Sequence, residues 1–253
     1  MDIKLEKFES ISLSQMEGIR LMKRVDRKFM IPFDLLPQLL DELIEDYYMQ
    51  EIEEKRLFEY STLYYDTPDY EMYTAHQNGK LNRLKVRTRE YVDSNLCFLE
   101  IKTKSNSGVT RKIRIASKTP HSIAETDSSL FLCSHTPYFT ELLEGKLWSF
   151  YKRITLVNKM KTERLTIDYN LCFQNKSTGR KVVLPEMVII ELKKDQSSFS
   201  PVTNSLNRLR IKPKGISKYC LGVALTETGE CIKKNMFKSK ILTINKLTSF
   251  QYD

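Results

Sequence analysis

The residues best equipped for chemistry are Lys and Arg placed at every second position. Arg83, Lys85, Arg87 and Arg89 interleave with Leu84, Val86 and Thr88, and Glu100, Lys102 and Lys104 with Leu99, Ile101 and Thr103. Lys112 and Arg114 alternate with Ile113 and Ile115, and Arg153 and Thr155 with Ile154 and Leu156. Arg164, Thr166 and Asp168 alternate with Leu165 and Ile167, and Glu191 and Lys193 with Ile190 and Leu192. A period of two predicts strands with one apolar and one charged face. Residues 80–114 hold ten Lys and Arg against three acids, so +7 of the formal +9 lies within 35 residues. The wet face of an antiparallel sheet ordinarily mixes signs, because like charges directly opposite are destabilising. Here the cations of 83–89 would face Lys102, Lys104, Lys112 and Arg114. Two unit charges 4 Å apart interact by roughly 4 kcal/mol at an effective dielectric of 20. A row of this kind therefore calls for a polyanion.

Three carboxylates, Glu100, Asp168 and Glu191, share strand faces with cations: Glu100 and Glu191 stand two residues from Lys102 and Lys193, and Asp168 four from Arg164. Carboxylate beside cation is how a metal–triphosphate is held: the acid takes Mg²⁺ or Mn²⁺, and Lys and Arg take the remaining phosphate oxygens. Taken singly, each acid suits a cross-strand salt bridge equally well. The basic faces carry no aromatics, which argues against nucleic acid, whose binders interleave stacking rings or offer a recognition helix. There is no G-x-x-x-x-G-K-[ST], G-x-G-x-x-G or G-x-S-x-G motif, and His76, His121 and His135 are isolated. Phosphoryl transfer needs no covalent nucleophile, only alignment and charge stabilisation.

The elements that must position these residues follow from capping and periodicity. Ser14-Gln-Met-Glu17 reads as a capping box ahead of an apolar-periodic stretch, and Asp34 opens a helix whose core side is Leu36, Leu39, Leu40, Leu43 and Tyr47. Acid-rich 41–59 reads as a solvated helix face and loop, and Ser122 to Trp148 as helix and loop. Ser200-Pro201 starts a helix through Leu206 and Leu209, and Ser217-Lys218-Tyr219 opens a last short one before a basic tail with Lys233, Lys234, Lys238 and Lys240. No repeat or Gly/Ser linker divides the 253 residues, so one domain is expected over 1–253, with a core of about 20–225 and a tail of 226–253. No run of 18 apolar residues occurs, and charges occupy the start of the chain, so neither a membrane segment nor a signal peptide is expected and the location is cytoplasmic. Five scattered cysteines, Cys97, Cys133, Cys172, Cys220 and Cys231, fit reduced thiols and argue against zinc.

Eight segments in order, Lys23–Phe29, Tyr60–Tyr70, Val86–Tyr91, Phe98–Lys102, Tyr151–Arg153, Arg164–Asp168, Ile190–Lys193 and Ser217–Tyr219, resemble the successive motifs of the VTC domain. This is the polyphosphate polymerase of the vacuolar transporter chaperone complex. The resemblance implies an α+β fold, an antiparallel eight-stranded β-tunnel of the triphosphate tunnel metalloenzyme type with helices packed outside. It implies transfer of the terminal phosphoryl group of ATP to inorganic polyphosphate with a divalent metal, Mn²⁺ preferred and Mg²⁺ possible. It also implies Lys28, Arg87, Arg89, Lys102, Lys112, Tyr151, Arg153, Arg164, Lys193 and Lys218 at the phosphates, with Arg87, Arg89, Lys102, Arg153 and Arg164 carrying the catalysis. Glu191 would be the metal ligand. Lys112 is preferred to Arg111 because its parity matches Arg114. Asp26 stands where related enzymes carry a metal-binding acid, and Asp66 reads as a cap rather than a ligand. Expected partners are ATP, polyphosphate and orthophosphate, with no nucleic acid. A triphosphatase, using water as the acceptor in the same tunnel, or a non-catalytic polyphosphate-binding protein are the alternatives.

Overall fold

The alternating segments do fold as strands. A computed structural model describes residues 3–17, 24–196, 198–228 and 232–247. In chain order the elements are β1 (Glu9–Ile11), α1 (Leu13–Glu17), β2 (Arg24–Pro32), α2 (Leu36–Leu43), β3 (Tyr47–Gln50), β4 (Phe58–Asp66), α3 (Glu71–Gln77), β5 (Arg83–Tyr91), β6 (Leu96–Lys104) and β7 (Thr110–Ala116). There follow α4 (Thr126–His135), β8 (Glu144–Asn158), β9 (Glu163–Asn175), β10 (Lys181–Leu184), β11 (Met187–Asp195), α5 (Pro201–Arg208), α6 (Lys218–Thr226) and α7 (Asn235–Leu247).

Eight strands pair antiparallel in the order β2-β11-β9-β8-β4-β5-β6-β7, curled into a half-barrel. Its edge strands β2 and β7 both reach one central cavity. The apolar faces turn outward and are covered by helices. Phe29, Ile31, Ile154, Leu156, Leu165, Ile167, Val188 and Ile190 pack with Leu36, Leu39, Leu40 and Leu43 of α2 and with Val202 and Leu206 of α5. Leu63, Tyr65, Val86, Leu99 and Ile101 pack with Leu132 of α4. One helix does the opposite. Buried throughout Tyr219–Thr226, α6 enters the concave side and seals part of it against Tyr64, Leu147, Leu171, Phe173 and Ile189. Gly222 permits this approach, since a Cβ there would collide with Leu147 and Phe173.

The concave face thus has a charged half and an apolar half, and a bulge marks the change. Asn170 adopts φ 51°, and the β8–β9 register shifts beside it between Phe150 and Lys152. Upstream, odd residues Leu165 and Ile167 face out; downstream, odd residues Leu171 and Phe173 face in. An extra residue in one strand reverses its side-chain parity.

Several local expectations are corrected. The capping box is formed by Ser12 and Gln15, whose backbone N–H groups donate to each other's side chains at 2.9 and 3.3 Å, and not by Ser14 and Glu17. The apolar stretch expected after Glu17 lies outside the described residues up to position 23, as does Cys231. Tyr47 belongs to β3 rather than to the second helix, and Trp148 to β8, which begins at Glu144. The short helix at Lys218 is not the last, because the basic tail forms α7 and buries Phe237 and Ile244 against α6. Among the described residues, no helix is long and apolar enough to cross a membrane.

Candidate functional site

Side chains from all eight strands and from the N-terminus of α6 surround a cavity of about 730 Å³. Its wall carries ten cations: Lys28, Lys85, Arg87, Arg89, Lys102, Lys112, Arg153, Arg164, Lys193 and Lys218. Among the described residues, two acids, Asp26 and Glu191, line it with them. Of the eleven residues expected at the site, ten are brought together here. The eleventh, Tyr151, lies behind the wall: its ring stacks on Tyr60 at 5.2 Å, and Lys218 Nζ sits 4.4 Å from its centre.

Strand register sets which charges face each other. Lys85 is opposite Lys102, and Lys102 opposite Lys112, so three cations form a row across β5, β6 and β7. Lys193 is likewise opposite Arg164. The strain registers as proton affinity: burial first, then Lys28, Arg87 and Lys85, push Lys102 down to about 7, with Glu191 opposing. Burial also lowers Lys85, whose ammonium donates to Ser217 Oγ at 2.7 Å.

The three strand carboxylates have different surroundings. Glu100 is sealed: it accepts from Arg87 Nε and Nη2 at 2.8 and 2.6 Å and from Lys112 Nζ at 2.9 Å. Asp168 accepts from Arg153 Nε and Nη2 at 2.5 and 2.8 Å, and from Lys218. Burial works against its ionisation, but Arg153 and then Lys218 hold it down to about 2. Neither acid lines the cavity; they orient cations that do. Glu191 is the one that faces in. Its carboxylate lies 3.7 Å from Lys193 and 4.0 Å from Lys28, ion-pair rather than hydrogen-bond distances. Against burial, Lys28, Lys193 and Lys102 keep it well below the usual carboxylate range.

The donor set is compatible with a hard divalent cation of one kind. Among the described residues no three His, Cys, Asp or Glu side chains converge. An ion here would therefore take Glu191 from the protein and its other oxygens from phosphate and water, a common arrangement for Mg²⁺ beside phosphates. Asp26 is exposed and stands opposite Lys193 at the cavity's rim.

Aromatic residues are what the sequence reading missed. Tyr60, Tyr64 and Tyr91 line the cavity, correcting the expectation that it lacks rings. Guanidinium groups lie against two of them: Arg153 at 4.9 Å and Arg89 at 5.6 Å from the Tyr60 centre, and Arg87 at 5.8 Å from Tyr64. Strand β4 is buried on both faces from Ser61 to Asp66 and so shows no alternation, which hid Tyr64. Asp66 is a cap, as expected, accepting from the N–H groups of Thr67, Met72 and Tyr73 at 2.8, 2.9 and 2.9 Å. It also accepts from the Tyr219 hydroxyl, and Tyr219 stacks on Tyr64 at 5.2 Å, so the start of α6 is tied to the wall.

The sequence matches the VTC domain over residues 23–227. No curated protein matches it. Among solved structures, a Hippeastrum protein provisionally named an adenylyl cyclase, and described as having a dominant triphosphatase activity, is 13% identical with a TM-score of 0.47, over 81% of this chain and 97% of its own. A Vibrio parahaemolyticus protein provisionally named an adenylate cyclase is 12% identical with a TM-score of 0.43, over 78% and 96%. A Pyrococcus horikoshii protein is 11% identical with a TM-score of 0.42, over 75% and 91%.

Proposed function

The chain belongs to the VTC domain family, and from that premise we propose that it is a metal-dependent polyphosphate polymerase that extends inorganic polyphosphate with the terminal phosphoryl group of ATP. The observation that carries this reading is the row Lys85, Lys102 and Lys112, set directly opposite one another inside a cavity with eight-tenths of its charged wall cationic or more. Without an anion the row is self-repelling; with a phosphoanhydride chain along it each ammonium gains a partner.

The work divides among the wall residues. Lys28, Lys193 and Arg164 hold phosphates on the β2–β11–β9 side, and Arg87, Arg89 and Lys112 on the other. Arg153 and Lys218, fixed by Asp168, present donors that need no reorganisation as charge develops on the transferring group. The phosphoryl passes from ADP as leaving group to a terminal oxygen of the acceptor phosphate, and alignment in a narrow cationic space supplies most of the catalysis. A divalent ion, Mn²⁺ or Mg²⁺, bound at Glu191 would neutralise charge shared by adjacent phosphates.

Incubation with γ-labelled ATP and Mn²⁺, followed by gel electrophoresis, tests this. The expected product is an acid-precipitable polymer ladder. Release of orthophosphate alone would make the chain a triphosphatase, and retained polyphosphate binding without turnover a binding protein.

A further inference from the structure

The cationic surface does not stop at the main cavity. A narrower space of about 190 Å³ shares Lys28, Lys85, Lys102 and Glu191 with it and leads past Arg83 and His76. Beyond lies a further cavity of about 470 Å³, lined by Arg27, Lys28, His76, Arg83, Lys214 and Lys240 among others. It is built from three elements. The loop before α6 is clamped to β2 by the Lys214 N–H, which donates to Lys28 O at 2.7 Å. The Lys214 ammonium reaches α7 at Thr243 Oγ1, 3.0 Å away. Lys240 of α7 is half-buried, its ammonium 5.0 Å from the Phe237 ring, and Phe237 in turn packs near His76. Asp26 is the acid on this wall.

We propose that this space beneath α7 is a second oxyanion subsite, which takes the part of a polyphosphate chain extending out of the main cavity past Lys28 and Arg83; the assignment rests on the polyphosphate reading of that cavity. Lys28 lines all three spaces, so one continuous anion can touch it and both ends of the path. Cations converge on the bridging wall: burial first, then Lys85, Arg83, Lys240 and Lys28, push the His76 imidazole down to about 3. The wall also includes Ile216, Met236 and Phe237, which suits a chain held by a few charged contacts rather than a bare ion that needs a full shell of donors.

The experiment compares the unaltered protein with the double variant Arg27→Gln/Lys240→Gln, and with Arg27→Gln alone, which alters only an exposed residue. Affinities for long-chain polyphosphate, tripolyphosphate and orthophosphate are measured at 0.15 M salt, where the Debye length is about 8 Å and distant charges are screened. The double variant should bind long chains about tenfold more weakly, the scale of lost charge-assisted contacts at a partly exposed site, with tripolyphosphate unchanged. Arg27→Gln alone should show a smaller loss with the same length dependence. An equal loss for long chains and tripolyphosphate, or no loss for either, overturns the subsite while leaving the main cavity's reading intact. Weakened orthophosphate binding with long-chain binding preserved would make it a separate phosphate site and also overturn the proposal. Failure of the unaltered protein to bind polyphosphate of either length removes the reading of the main cavity, and the subsite with it.

Discussion

Two carboxylates on neighbouring strands, Asp168 and Glu191, show how one sheet builds both structure and chemistry from the same residue types. Asp168 on β9 is saturated by Arg153 and Lys218 and cut off from the cavity. Glu191 on β11 faces the cavity with its nearest cations 3.7 and 4.0 Å away. The contrast lies in geometry more than in sequence: each acid shares its strand face with a cation, Asp168 with Arg164 and Glu191 with Lys193, and stands opposite another in the register, Asp168 against Arg153 and Glu191 against Lys28. A guanidinium fits a carboxylate bidentately and fills its lone pairs, whereas two Lys ammonium groups at longer range leave Glu191 with capacity for a further cation.

Substitution at Asp168 should break the comparison most sharply. Asp168→Asn leaves Arg153 and Lys218 without their buried anion, which is expected to cost about 3–5 kcal/mol of stability, read as a large fall in melting temperature. The pH dependence has the same origin. Asp168 is held down to about 2 from an ordinary 3.8, so its contribution is complete above about pH 4 and is lost as pH falls through the folded value. A flat melting temperature from pH 5 to pH 2 would contradict this assignment.

Next in size are the losses of turnover. Arg89 has no carboxylate within ion-pair distance among the described partners and touches Thr62 Oγ1 at 3.4 Å. Arg89→Ala should therefore reduce turnover on the order of 10²-fold with the fold retained; normal activity would remove Arg89 from the site. Glu191→Gln should nearly abolish Mn²⁺-dependent turnover while lowering the melting temperature less than Asp168→Asn does, because the cations near Glu191 stand at ion-pair rather than hydrogen-bond distance. Polyphosphate binding in chelator should be unchanged or tighter, because a repulsive charge has gone. If Glu191→Gln instead loses stability and binding together, Glu191 is structural like Asp168, and the contrast disappears.

The same residues show what the sequence made legible. Alternation identified six of the eight strands, and parity alone selected Lys112 over the outward Arg111. Strand β4 escaped because it is buried on both faces from Ser61 onward, and with it the cavity ring Tyr64. Period two also fails at Asn170, where a bulge inverts β9 and places Leu171 and Phe173 on the concave side. The entry of α6 into that side depends on Gly222 lying against side chains of β8 and β9, a long-range fit with no local signal. Which acid is spare and which is saturated follows from distances between strands, and spacing along one strand does not contain that information.

The smallest expected effect sharpens the comparison from the cationic side. Lys102, between Lys85 and Lys112, is pushed down to about 7 by burial and by its cationic neighbours. In the unfolded chain it retains the ordinary 10.5, so between about pH 7 and 10.5 the unfolded state binds more protons and stability of the empty protein rises with pH on this account. A bound polyanion reverses the sign of the local potential and restores the ammonium. Binding at pH 8 should therefore take up to about one proton per site. Calorimetry in two buffers of different ionisation enthalpy measures that uptake directly, and Lys102→Met should reduce it sharply. Binding at pH 8 with no proton uptake would show that the row Lys85, Lys102 and Lys112 is fully charged without its ligand, and that its repulsion is relieved in some way other than loss of a proton.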